Sequence, residues 1–178
     1  MCRGPIEVTM RWGLSPHGAK DEKTAYKMIN AGVETLAQRP AFRGLLSHHR
    51  CLVPASGFYE WQGEGRAKTP YDSHPEGQPY LACAGLYDGW ITPQGGELYT
   101  FTIVTTDADA AMARLHHRMP VILARELEGA WLDPALTKAQ DVLDVLSRSA
   151  GLELDAYPVS RMVNKPSVDT EVLIQPVG

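Results

Sequence analysis

The chain has 178 residues, enough for one domain with its own core. Hydrophobic residues make up 44% and charged residues 21%, which excludes a disordered chain. The net charge of −4 excludes binding to nucleic acid by bulk charge, so any phosphate contact must come from a local basic face. Cys2, Cys51 and Cys83 are too scattered for a disulfide framework, and without a CxxC they do not suggest structural zinc. Their odd number suits a reducing compartment. There is no apolar N-terminal leader and no run near the roughly 18 apolar residues of a membrane helix, so a cytoplasmic protein without membrane contact is expected. With no repeat, low-complexity tract or long linker, residues 1–178 read as a single domain.

Glu7 to Trp12 alternates and predicts a strand. Lys20 to Gln38 predicts short helices around Asn30. Arg50 to Trp61 predicts two short strands broken at Pro54-Ala55-Ser56-Gly57, and Gly63 to Pro79 is polar enough to predict a loop. Pro79 to Trp90 and Glu97 to Thr106 are strands rich in aromatic and β-branched residues. Asp107 predicts a helix cap, with an apolar run from Met119 to Leu123 after that helix. Helices follow around Ala124 to Trp131 and Thr137 to Arg148, the second capped by Thr137. Leu152 to Ser160 and Glu171 to Ile174 are late strands. The pattern is α+β, with a mainly antiparallel, barrel-like β core flanked by short helices. GxGxxG and GxxxxGK[ST] are absent, so nucleotide chemistry is not suggested and no cofactor is expected.

Four residues have chemical potential. If Met1 is removed, Cys2 presents an α-amine, with a reference pKa of roughly 7.7–8.0, beside a thiol. The amine forms a Schiff base with an aldehyde, and the thiol closes on the imine to give a thiazolidine. Position alone favours a chance cysteine at a frayed terminus. Glu60 sits among Phe58, Tyr59 and Trp61, where desolvation raises a carboxyl toward useful acid–base range. Alternation also allows it a solvent face, shared with Phe58. His116 precedes His117 and Arg118; it can shuttle protons or bind phosphate, or simply close a helix end. Asn30 can cap the helix after it or hold a substrate hydroxyl. Cys51 and Cys83 read as core. Ser56-Gly57 lacks the GxSxG frame of a nucleophile elbow.

Taken together, the blocks have a known order. Met1-Cys2 is followed by Arg11-Trp12-Gly13-Leu14-Ser15-Pro16, by residues 29–35 and 39–43, by RCLVPASGFYEW at 50–61, and by residues 84–87 and 101–108. HHRMPVIL at 116–123, Pro158-Val159-Ser160 and Val163-Asn164 complete it. This set resembles the SRAP family, the abasic-site processing proteins once described as SOS-response-associated peptidases, from about Met10 to Ile174. The resemblance implies an SRAP-like barrel, binding to single-stranded DNA that carries abasic sites, and a covalent thiazolidine between the mature N-terminal cysteine and the ring-opened sugar. It implies Cys2 as nucleophile, Asn30 positioning the cysteine and sugar, Glu60 as acid/base and release residue, and His116 assisting ring opening. Arg3, Trp12, Pro16, Arg39, Arg43 and Arg118 would contact DNA, with the replication machinery as a further partner and a monomer as the acting unit.

The chain departs from the family pattern in three places. It begins Met-Cys-Arg-Gly where the family has Met-Cys-Gly-Arg. Several dozen residues that usually precede the Trp-Gly-Leu block are reduced to Arg3–Arg11, a shortening between residues 3 and 11. Gly32 replaces the arginine of the family's Asn-Ala-Arg, which should make the salt dependence of DNA binding about one unit shallower. The alternatives are a non-catalytic single-strand-binding remnant and a peptidase acting only on its own N-terminus; a lyase working through the same Schiff base is a variant of the leading reading.

Overall fold

The structure is a computed structural model that describes residues 6–65, 68–149 and 152–177. Its strands are β1 (Arg11–Trp12), β2 (Asn30–Gly32), β3 (Arg50–Ala55), β4 (Phe58–Gln62), β5 (Thr69–Pro75), β6 (Leu81–Ile91), β7 (Glu97–Asp107), β8 (Arg118–Pro120) and β9 (Leu154–Pro158). The helices are α1 (Pro40–Arg43), α2 (Leu45–His48), α3 (Arg125–Leu132) and α4 (Ala139–Ser147). The chain divides into two compact units, one from Met1–Val53, Ala82–Thr106 and Pro120–Ala150, the other from Pro54–Leu81, Asp107–Met119 and Gly151–Gly178.

The first unit is built on the long β6–β7 hairpin, whose β-branched and aromatic residues pair antiparallel from Gly85↔Ile103 to Ile91↔Glu97. β3 borders β6, while β1 and β2 both add to β7 in parallel, giving a curled, mixed half-barrel sheet. Residues 121–123 wedge between the hairpin ends: Val121 N–H donates to Val104 O at 2.8 Å, and Leu123 N–H to Ala82 O at 2.9 Å. Leu14, Phe42, Leu86, Trp131 and Val142 are fully buried in one core that joins sheet and helices. Arg50 is buried beside it. Its guanidinium donates to the carbonyls of Leu46, Ser47, Trp131 and Asp133, satisfying the open ends of α2 and α3.

The second unit holds an antiparallel sheet ordered β4–β5–β9. Its middle strand lies in the stretch expected to be a loop. The sequence Thr-Pro-Tyr-Asp-Ser-His-Pro has weak strand propensity, but pairing on both edges overrides it. Asp72 and Ser73 are buried there. Burial raises the Asp72 carboxyl above its ordinary value, against the Tyr157 hydroxyl and His74, which lower it.

The α+β class, mainly antiparallel with few short helices, is as expected. Four local expectations are corrected. Of Glu7–Trp12, only Arg11 and Trp12 find a strand partner. Asp107 ends β7; Asp109 instead takes the Met112 N–H at 2.9 Å, opening a single 3-10 turn. Thr137 does not cap α4, since Lys138 holds the cap position and no side chain caps the first turn. Glu171–Ile174 is a 3-10 turn, its apolar residues largely exposed and not paired in a sheet. Among the described residues, no helix is long and apolar enough to cross a membrane.

Candidate active site

In the second unit, the site is built on the pleat of β4. The turn before it needs Gly57, because a Cβ there would lie 2.7 Å from the Ser73 carbonyl oxygen. Beyond the turn, alternate side chains take opposite faces. Tyr59 and Trp61 share one, and the Trp61 indole N–H donates to Asn164 Oδ1 at 2.9 Å. Glu60 and Gln62 share the other. Glu60 is not on a solvent face: its side chain retains 20% exposure, and Oε1 lies 3.9 Å from Nδ1 of His116.

The loop that carries His116 holds itself together. Ala108 N–H donates to His117 O at 3.0 Å, and the N–H groups of Leu115 and His116 both return to Met112 O, at 2.8 and 3.1 Å. Met112, Leu115 and Met119 are buried and anchor it. His116 Nδ1 lies 3.2 Å from the Arg118 N–H, which donates to it in the tautomer protonated on Nε2. When protonated at Nδ1, the ring meets the Arg118 carbonyl at 3.1 Å and the Glu60 carboxylate beyond it. Burial raises the Glu60 carboxyl above its ordinary value. The charge of His116, the Trp61 N–H and the charges of His117 and Lys68 pull it back. A carboxyl held up by desolvation and facing an imidazole can hold a proton and pass it on.

In the first unit, Asn30 opens β2 and is exposed. It does not cap the next 3-10 turn, Val33–Thr35, which starts after Gly32 without a side-chain cap. Trp12 is 53% exposed, and its indole N–H donates to Ile29 O at 2.8 Å, fixing the ring beside Asn30. Gly13 makes this possible. Its φ of 108° turns the chain so that Trp12 stays out while Leu14 enters the core, and a Cβ there would lie 2.9 Å from Ala25 O. Arg11, Trp12, Ala25, Tyr26 and Ile29 line a shallow cleft of about 70 Å³. Pro16 is half-buried, Arg43 exposed, and Arg39 lies over the Phe42 ring at 5.0 Å.

Of the expected residues, Glu60 and His116 are brought together. Arg118 lies in the same unit but is bridged to Asp107 at 2.8 Å. Asn30, Trp12, Pro16, Arg39 and Arg43 belong to the first unit. Cys2 and Arg3 lie outside the described residues. Burial pushes the Cys51 and Cys83 thiols up to about 12, which leaves both unreactive at neutral pH. Sequence reading missed Tyr26, Gln62, Lys68 and the partner of Asn164. Alternation was enough to place Gln62 on the same face as Glu60. Among the described residues, no cluster of three His, Cys, Asp or Glu side chains is disposed to hold a metal.

A desolvated carboxylate on a strand thus faces a histidine on a short self-bonded loop, an arrangement able to exchange a proton. The chain belongs to the SOS response associated peptidase (SRAP) family, whose model matches residues 5–166. It is 44% identical over 167 residues to the abasic site processing protein YoqW of Bacillus subtilis, a match covering 93% of this chain and 75% of that protein. It is 35% identical over 196 residues to the abasic site processing protein HMCES of Gallus gallus, covering 97% of this chain and 58% of the other. A crystal structure of a Bacteroides thetaiotaomicron protein, 33% identical, superposes with a TM-score of 0.82 over 94% of this chain and 75% of that one.

Proposed function

We propose that this chain processes abasic sites in single-stranded DNA by covalent capture. The observation that carries the reading is the Glu60–His116 pair, a proton donor–acceptor couple of the kind that opening a sugar hemiacetal requires. The names of the relatives, abasic site processing proteins, give the substrate class. In the ring-opened sugar, C1′ is an aldehyde. The Cys2 amine, freed by loss of Met1, adds to it and expels water as the imine forms. The Cys2 sulfur then adds to the imine carbon, its proton passes to nitrogen, and the thiazolidine closes. The sum is aldehyde plus aminothiol giving thiazolidine plus one water.

His116 moves the proton that frees the aldehyde. Glu60 gives and takes protons at the carbinolamine and, in reverse, at release. Asn30 orients the cysteine and sugar. Trp12 and Tyr26 offer exposed rings for base stacking, worth about 1–3 kcal/mol per base. Pro16, Arg39 and Arg43 lie along the strand, with Arg3 near the phosphates. Arg118 reaches a phosphate by exchanging it for Asp107, to which it is now bridged.

Intact-mass measurement tests the chemistry. Single-stranded DNA with one abasic site should give a species equal to the protein without Met1 plus the oligonucleotide, less one water. The same DNA with a reduced site, which has no aldehyde, should give none. An adduct on the reduced site, or none on either, would overturn the reading.

A further inference from the structure

Gln62 follows Glu60 by two residues on β4, so the pleat turns both side chains to one face. Its Nε2 donates to the carbonyl oxygen of Arg114 at 3.1 Å. Arg114 ends the 3-10 turn Met112–Arg114, and the N–H of His116, two residues on, bonds back into that turn at Met112 O. Further bonds run within the loop itself: the Met112 N–H donates to Asp109, the Ala108 N–H to His117 O, the Asp109 N–H to Met119 Sδ at 3.4 Å, and Arg118 to Asp107. The strand that presents Glu60 to the imidazole therefore also grips the segment bearing that imidazole, through one neutral amide.

We propose that Gln62 is a positioning residue, whose amide holds the Met112–Arg118 segment against β4 and so sets the distance between His116 Nδ1 and the Glu60 carboxylate. At 3.9 Å the pair is too far apart for a hydrogen bond, so its coupling is Coulombic and weakens as the segment drifts. The amide is suited to this task. It donates to a carbonyl, which a carboxylate at position 62 could not do, and it adds no second negative charge to the face of Glu60. The other groups acting on Glu60 are the Trp61 N–H on β4, His117 on the loop and Lys68 just before β5; Arg118 is bridged to Asp107. The catalytic consequence rests on the proposed role of the Glu60–His116 pair, but the tether does not, and it is measured without DNA.

The experiment is a carbon-13 NMR titration of the Glu60 carboxyl in the full chain, comparing wild type, Gln62→Ala, His116→Ala and the double variant. The His116 charge lowers the Glu60 midpoint, so releasing the loop should raise it. Gln62→Ala is expected to raise it by about half a pH unit, His116→Ala by at least as much, and the double variant no further than His116→Ala alone. Gln62→Met, which keeps the shape without the donor, gives the same reading if the alanine variant is poorly folded. A midpoint unmoved in the folded Gln62 variants, or raised equally when His116 is already absent, overturns the proposal. On abasic DNA, Gln62→Ala should slow adduct formation about ten- to hundredfold with unchanged affinity for the strand. If the wild type forms no adduct while the Glu60 midpoint responds, the positioning role stands and the capture reading falls.

Discussion

Glu60 is held between two opposed effects, and its protonation should be visible in stability as well as in activity. Burial raises its folded-state pKa above the unfolded value near 4.3. The folded protein therefore binds this proton more tightly. The resulting stability is present below the ordinary carboxyl range and is lost as the pH rises through the folded pKa. Glu60→Gln removes that loss. Its stability relative to wild type should grow between pH 4 and pH 7 in denaturant melts, while adduct formation falls about 10²–10⁴-fold. A difference that stays flat with pH would show that desolvation of Glu60 is not the dominant cause. Gly13→Ala is the residue-scale counterpart in the first unit. The positive φ and the approach of Ala25 O predict a loss of about 1–3 kcal/mol, read as a lower urea midpoint.

At the scale of elements, β4 is the strand that carries Glu60 and is tied on both faces. Trp61 ties one face to Asn164, and Gln62 ties the other to Arg114. Asn164→Ala leaves the indole N–H without its acceptor and should cost about 1 kcal/mol, measured by thermal or urea unfolding. Trp61→Phe removes the indole donor that needs this acceptor, so Asn164→Ala in that background should cost less. These ties also show what the sequence made legible. β4, β6 and β7 announce themselves by alternation and by aromatic and β-branched content, and the break at Ser56-Gly57 is marked by its residues. β5 was hidden because its strand character comes from pairing on both edges, with the preceding Phe58–Gln62 and with Leu154–Pro158, which is distant in sequence. Glu171–Ile174 misled in the opposite direction, since apolar residues in a short segment do not specify a period. Glu60 and His116 stand out as candidates in their sequence blocks. Their separation of 3.9 Å was not, because it depends on a loop closed by Asp109 and Met112.

At the scale of the molecule, a net charge of −4 means that the proposed DNA affinity must come from local cations and exposed rings. Trp12→Ala and Tyr26→Ala should each weaken binding to single-stranded DNA by about 1–3 kcal/mol, with little change in salt dependence. Arg43→Ala should weaken it with a salt slope shallower by about one unit, measured by fluorescence anisotropy across a salt series. Rings that prove dispensable, or an arginine without effect on the slope, would move the DNA path away from these residues. Covalent capture through Cys2 remains the central claim. It is tested most directly by incubating wild-type protein and Cys2→Ala with single-stranded DNA containing one abasic site and resolving the products on a denaturing gel. The account predicts a slow-migrating protein–DNA band for wild type and none for Cys2→Ala. A band of equal intensity in Cys2→Ala, or no band with either protein, would contradict it.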